Sequence, residues 1–304
     1  MNLEQAFDFQ KNYERKVAEA ADYLRPFLAE QPHFGIVLGS GLGDLASRIE
    51  QSVVLPYSSI PNFPVPTIEG HEGKLHIGKL QGVPVIGLQG RKHFYEVADL
   101  AMNVGMLQVV FPVHVLAELC VPNYFVTNAA GGLNLDYQVG DMMILRSHIN
   151  MIPSPLLGQH HSFKRVNDGQ RVWRFQPMSF EYDPSLRSLL EQSGEQFGQT
   201  IRKGVYLAVT GPTYETQGEC IAFRDGLHAD AVGMSTTPEV IIARNRGMNC
   251  VGFSCITNKI AADGTNATNH EEVKAILDSA QVRHRLTSTV ENFFRAYSRN
   301  IRKQ

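Results

Sequence analysis

Four cysteines occur in 304 residues, at positions 120, 220, 250 and 255, with no CxxC pair and no histidine or cysteine at metal-ligand spacing. A disulfide framework and a structural zinc site are thereby excluded, and the cysteines, each set in an apolar run, are expected to be reduced and buried. An excess of one charge sign is also missing, because 28 lysines and arginines face 30 aspartates and glutamates. A net charge of -2 is too balanced for holding nucleic acid by bulk attraction, so any bound anion must be gripped locally. Long apolar runs are scarce. The start, MNLEQAFDFQKNYERK, has none of signal-peptide length, and the longest run, Val109 to Cys120, is interrupted by Pro112, His114 and Glu118. No membrane span and a cytoplasmic location are expected. What is present is a globular composition, 43% hydrophobic with 26 glycines, without repeat, linker or low-complexity tract.

The patterning predicts one α/β domain over residues 1–304. Residues 1–33 form a helical segment in which Phe9, Tyr13, Val17, Ala21, Leu24 and Leu28 make the buried stripe and Pro26 kinks or ends it. Short apolar runs bounded by glycine or polar residues read as strands: FGIVLG (Phe34 to Gly39), VPVIGL, YFVT, MMIL, VYLAVT, ADAVGM and CVGFSCI. Helix-period stretches at Ala98 to Val110, Thr216 to Arg224, Pro238 to Arg246 and Glu271 to Tyr297 alternate with them. Gln81-Gly82 between two strand runs predicts an antiparallel hairpin, which makes the sheet mixed. Capping boxes at Thr268/Glu271 and Asn269/Glu272 place a helix start near His270. Residues 152–182 lack a period and read as a long, partly mobile variable loop.

Chemistry is expected at the strand ends. Gly39-Ser40-Gly41-Leu42-Gly43 lacks the last glycine of a dinucleotide fingerprint, since Asp44 stands there, and it lacks the lysine of a Walker loop. It suits either a small oxyanion on backbone N–H groups or a plain strand-to-helix turn. Arg91 and His93, in Gly90-Arg91-Lys92-His93-Phe94-Tyr95-Glu96, and His71 offer anion donors, or equally a solvated turn. Thr127-Asn128-Ala129-Ala130-Gly131-Gly132 permits close approach to the main chain and reads as well as a β-turn. Tyr214 and Glu215 can stack on a flat ring and accept its N–H, although a glutamate also suits a helix start. Asn258 ends a buried strand with an amide that needs a partner. Met234 and Ser235 suit a sugar face and an anion, while a core methionine remains open. His270, in a first helical turn, suits a neutral hydroxyl partner.

In chain order GSGLG, GHEGKLHIG, GRKHFYE, VTNAAGGLN, GDMMILRSHIN, GPTYET, VGMSTTPE, ITNK and NHEEV closely resemble the trimeric, low-molecular-mass purine nucleoside phosphorylase family, from Phe34 to Val273. The resemblance implies a mixed sheet flanked by helices and reversible attack of phosphate on a purine nucleoside, giving free base and pentose 1-phosphate. By that likeness Ser40, His71, Arg91, His93, Ser235 and the Ala129 backbone hold phosphate. Tyr95 and Met234 line the ribose and His270 meets its 5′-hydroxyl. Tyr214, Glu215 and Asn258 hold the base, Tyr206 is a further lining residue, and Phe175 reaches a neighbouring subunit's ribose site. Glu215, Asn258 and His93 are the residues expected to act in catalysis. No metal or organic cofactor is implied, phosphate being a co-substrate, and a homotrimer is expected.

Asn258 at the base predicts inosine and guanosine over adenosine, because an amide donates to a 6-oxo group where a carboxylate would favour a 6-amino group. The rivals are a 5′-methylthioadenosine phosphorylase, a non-catalytic nucleoside-binding protein and an NAD-dependent oxidoreductase. Asn258, the complete phosphate set and Asp44 respectively argue against them. The family's longer loop after His148-Ile149-Asn150 is replaced by Met151-Ile152-Pro153-Ser154-Pro155-Leu156.

Overall fold

The computed structural model describes residues 2–39, 42–158, 161–196 and 200–302. The chain runs α1 (Leu3–Lys11), α2 (Tyr13–Leu24), β1 (Phe34–Leu38), α3 (Gly43–Ala46), β2 (Glu50–Pro56), β3 (Lys74–Leu80), β4 (Val83–Gln89), α4 (Val104–Glu118) and β5 (Asn123–Gly132). It continues through β6 (Met142–Asn150), α5 (Pro184–Glu195), β7 (Ile201–Ala208), α6 (Gln217–Ile221), β8 (Ala231–Gly233), α7 (Thr237–Asn245), β9 (Asn249–Lys259), α8 (His270–Asp278) and α9 (Ala280–Ile301).

The strands make one mixed sheet in the order β2-β3-β4-β1-β5-β8-β7-β6-β9, and a further pairing of β9 with β5 closes its second half into a barrel. Strands β1, β4, β5 and β9 run parallel, so their carboxyl ends emerge together. Alternation of side chains along each strand feeds two cores. Tyr124 and Val126 join Tyr13, Val17 and the helix α4 on one face, while Phe125 joins Phe34, Phe253, Phe293 and Phe294 on the other. The Gln81-Gly82 turn closes β3 onto β4 with positive φ at both residues, 51° and 78°, the mirror-image geometry that matches strand twist.

Several expectations need correction. The run Val109 to Cys120 belongs largely to α4, which is buried nearly all round and therefore has no polar face for a periodic pattern to reveal. It begins at Val104 rather than Ala98. The strand β2 was not expected, because it is an edge strand with no buried face. Gly131 and Gly132 do not form a turn; β5 runs through them against β9 and β8. The closing helix is two helices, broken at Ser279, whose ψ of 124° is not helical. Its start holds: His270 is the first residue of α8, and Asn269 caps Glu272 N–H at 2.9 Å.

The variable segment is docked rather than loose. Val166 N–H donates to Arg246 O at 2.7 Å, and the buried Arg246 guanidinium lies 4.3 Å from the Phe163 ring centre. Three cysteines are buried as expected, but Cys120 is exposed at the end of α4. No helix among the described residues is long and apolar enough to cross a membrane, and among them no group of three or more His, Cys, Asp or Glu could hold a metal ion.

Candidate active site

The carboxyl ends of β1, β4, β5 and β9, with the segments after β7 and β8 and the start of α8, surround a cleft. The cleft exists because β1 pairs with β5 only as far as Ile36 against Phe125, while β5 continues to Gly132 with that edge unpaired by β1. His71, Arg91, His93, Tyr95, Ala129, Tyr214, Glu215, Met234, Ser235, Asn258 and His270 all line it. Ser40 lies outside the described residues.

At one end of the cleft the donors suit an anion. Arg91 N–H donates to His71 Nδ1 at 2.9 Å, which leaves the ring proton on Nε2. Burial, then the nearby His93 and Arg91 charges, push the His71 pKa down to about 3, so it is a neutral donor at physiological pH. His93 is anchored by Glu96, whose Oε1 accepts its backbone N–H at 2.6 Å and lies 3.2 Å from Nδ1, and its ring stacks on Tyr95. Burial pushes the Glu96 carboxyl up, but hydrogen bonds from His93 and Thr67 outweigh it and hold it well below the usual range. Thr236 Oγ1 accepts from Arg91 at 3.1 Å and Asn128 at 2.9 Å, so its own proton goes to Ser235 Oγ at 3.2 Å. The Ser235 hydroxyl proton is then left for the cleft. Thr127 C=O accepts from Arg91, and N–H groups alternate sides along a strand, so Ala129 N–H faces the same way.

At the other end a hydrogen-bonded chain links β9 to the segment before α6. Thr257 Oγ1 lies 3.2 Å from Asn258 Oδ1, Asn258 Nδ2 donates to Asn266 Oδ1 at 3.2 Å, and Asn266 Nδ2 donates to Glu215 Oε2 at 3.2 Å. Burial pushes the Glu215 carboxyl above its ordinary value, and the Asn266 bond opposes that rise. Tyr214 stands beside it, 38% exposed at the mouth of the cleft.

Of the expected residues, Arg91 is enclosed, Tyr206 lies behind the cleft and Phe175 lies outside it. The Arg91 fork lines the cleft but is more enclosed than expected: it is 6% exposed and bonded to Glu239 Oε2 at 2.7 Å, to Thr236 and to Thr127 C=O. Tyr206 is fully buried and does not line the cleft; its hydroxyl lies 3.4 Å from Ser235 N and props the β8 end from behind. Phe175 is 89% exposed and is absent from the cleft of its own chain.

Residues 33–292 match a family described as the phosphorylase superfamily. Over 267 residues the chain is 44% identical to purine nucleoside phosphorylase 1 of Bacillus subtilis, covering 88% of this chain and 93% of that one. Over 259 residues it is 40% identical to the purine nucleoside phosphorylase of Bos taurus, covering 84% and 86%. The chain belongs to the purine nucleoside phosphorylases. A solved Schistosoma purine nucleoside phosphorylase in complex with hypoxanthine has a TM-score of 0.81 to it at 36% identity, over 92% of this chain and 96% of that one. The Schistosoma mansoni enzyme in complex with inosine gives 0.81 at 34% identity, with the same coverage.

Within this purine nucleoside phosphorylase, four residues that shape the cleft had no assigned role in the sequence reading: Glu96, Thr236, Glu239 and Asn266. Thr236 had one available signal, a β-branched residue directly after the Met234-Ser235 pair; it is held at φ 73°, a conformation costing about 1–3 kcal/mol that tends to persist at functional sites. Gly131 had another. A Cβ there would come within 3.1 Å of Asn258 Nδ2, where a β-bulge at Thr257 shifts the β5–β9 register. Gly131→Ala is therefore expected to displace the Asn258 amide by a few tenths of an ångström and lower kcat about tenfold, with the KM for phosphate unchanged. Steady-state kinetics that find kcat intact would separate Gly131 from the site's chemistry.

Proposed function

We propose that the protein catalyses reversible phosphorolysis of 6-oxopurine nucleosides and deoxynucleosides, with inosine and guanosine as substrates and free base and pentose 1-phosphate as products. The observation that supports this reading is that one cleft is lined both by an acceptor and donor pair, Glu215 and Asn258, and by the anion donors His71, His93, Ser235 and Ala129.

Phosphate at the His71, Ser235 and Ala129 end, with His93 beside them, lies against the sugar. As the glycosidic bond breaks, positive charge grows on the anomeric carbon and negative charge on the departing purine. The phosphate dianion stabilises the first, and the Asn258 Nδ2–H donates to the second. Glu215 accepts the ring N–H and fixes the base. Tyr95 and Met234 line the space between for the pentose, with His270 at its 5′ end. Phosphate oxygen bonds to the anomeric carbon as the carbon–nitrogen bond breaks, and the electron pair leaves on the base. No side chain forms a covalent bond, and no cofactor takes part in the proposed step. We place the enzyme in a homotrimer, with Phe175, exposed on its own subunit, as the side chain that reaches a neighbour.

Substrate comparison at saturating phosphate tests the reading: kcat/KM on inosine and guanosine is expected to exceed that on adenosine and 5′-methylthioadenosine by about two orders of magnitude or more. A preference for 5′-methylthioadenosine would replace it with the rival phosphorylase. A pH experiment follows from the raised Glu215 pKa. The ionised carboxylate accepts the base N–H, so hypoxanthine affinity, measured without phosphate, is expected to fall as pH drops through a midpoint above the ordinary glutamate value. Affinity that stays level through that range in the wild type, or a limb that persists in Glu215→Gln, would remove Glu215 from base binding.

A further inference from the structure

We infer that Asn266 is a positioning residue that transmits the acceptor character of Glu215 to the Asn258 amide and thereby selects 6-oxo over 6-amino purines, an inference that rests on the proposed function. The argument is one of polarity. An amide has one accepting end and one donating end, whereas an ionised carboxylate only accepts. Glu215 Oε2 can therefore be satisfied by Asn266 only through Nδ2, at 3.2 Å, which turns Asn266 Oδ1 the other way. Oδ1 in turn accepts from Asn258 Nδ2, also at 3.2 Å, which turns Asn258 Oδ1 toward the Thr257 hydroxyl. The second proton on Asn258 Nδ2 is left for the cleft that Asn258 lines.

Reversing the Asn258 amide would present an acceptor to the base, the arrangement a 6-amino group needs. With Asn266 in place, that reversal has one of two consequences. Either two amide oxygens face each other across 3.2 Å, or Asn266 turns over as well and sets its oxygen against the Glu215 carboxylate. Both lose hydrogen bonds, one of them charge-assisted, and leave acceptors opposed. Asn266 sits on the loop between β9 and α8, half-buried, 8 residues beyond Asn258 and 51 beyond Glu215, and it joins the end of β9 to the segment before α6, a helix that also holds this loop through Gln217 Nε2 to Asp263 O at 2.7 Å.

Asn266→Ala removes the link and frees the Asn258 amide to turn over. The ratio of kcat/KM for inosine to that for adenosine is expected to fall at least about fivefold, the worth of one hydrogen bond, while the KM for phosphate is unchanged. The same variant should move the acid midpoint of hypoxanthine binding to higher pH, because the lost bond had held the Glu215 carboxyl down. Asn266→Asp keeps an acceptor for Asn258 Nδ2 but removes the donor and adds a like charge beside Glu215, so it should hold the ratio near the wild-type value while moving the midpoint to higher pH. A ratio that stays at the wild-type value in Asn266→Ala, or a midpoint that stays there in both variants, overturns the inference, and so does an equal loss on inosine and adenosine together with a changed phosphate KM, the mark of general loop damage. A wild-type enzyme that releases no base from inosine with phosphate overturns the proposed function instead, and does so before any variant is made.

Discussion

Arg91→Ala is expected to cost about 3–5 kcal/mol of stability, the loss found when one partner of a buried ion pair is removed. Arg91 and Glu239 are each about 6% exposed at the side chain and meet at 2.7 Å. Glu239 Oε1 also accepts from the buried Tyr124 hydroxyl at 2.9 Å, so the pair ties β4, β5 and α7 together beneath the cleft. Without Arg91 the Glu239 carboxylate keeps, among the described residues, the neutral Tyr124 donor alone, the Thr127 carbonyl loses its Arg91 bond, and the Thr236 hydroxyl keeps, as acceptor, only the bond from Asn128. The check is the denaturant midpoint at constant slope. A midpoint within experimental error of wild type would show that the pair carries no net stability. Arg91→Met with Glu239→Leu, which removes both charges, should recover most of the loss. The consequence for kinetics is that a raised phosphate KM in Arg91→Ala reports a disturbed floor of the anion site, through Thr236 and Ser235, as much as a lost ligand contact.

The second large effect is catalytic. Asn258→Ala is expected to lower kcat on inosine about 10²–10³-fold, the usual cost of deleting a preorganised donor aimed at developing charge. Ground-state affinity should change less, since the donor matters most when the purine carries its negative charge, and the phosphate KM should not move. Asn258→Asp is expected to shift preference toward adenosine, because a carboxylate accepts from a 6-amino group. A fall in kcat below tenfold for Asn258→Ala, or an unchanged nucleoside preference for Asn258→Asp, contradicts the role given to this amide.

Much of the site could be read from the chain because ligand groups at parallel strand ends come as short contiguous motifs. Arg91 to Tyr95, Tyr214-Glu215, Met234-Ser235 and Asn258 each follow a buried apolar run, and the structure brings them into one cleft. What the chain did not disclose is the set of partners that hold those groups in place. Glu239 is 148 residues from Arg91 and Asn266 is 51 from Glu215, so no local pattern joins them. The same reason explains why the chain does not disclose the carboxylate that holds the Arg91 fork in place. In the fold, strands with two buried faces were legible, whereas β2 with none and the second half of α4 with no exposed face were not, since periodicity reports only a contrast between faces.

The account turns on inorganic phosphate as the attacking group, and product analysis tests that directly. Purified protein incubated with inosine should release hypoxanthine only when phosphate is present, with ribose 1-phosphate formed in equal amount. Hypoxanthine released at the same rate without phosphate, accompanied by free ribose, would make water the attacking group and contradict it.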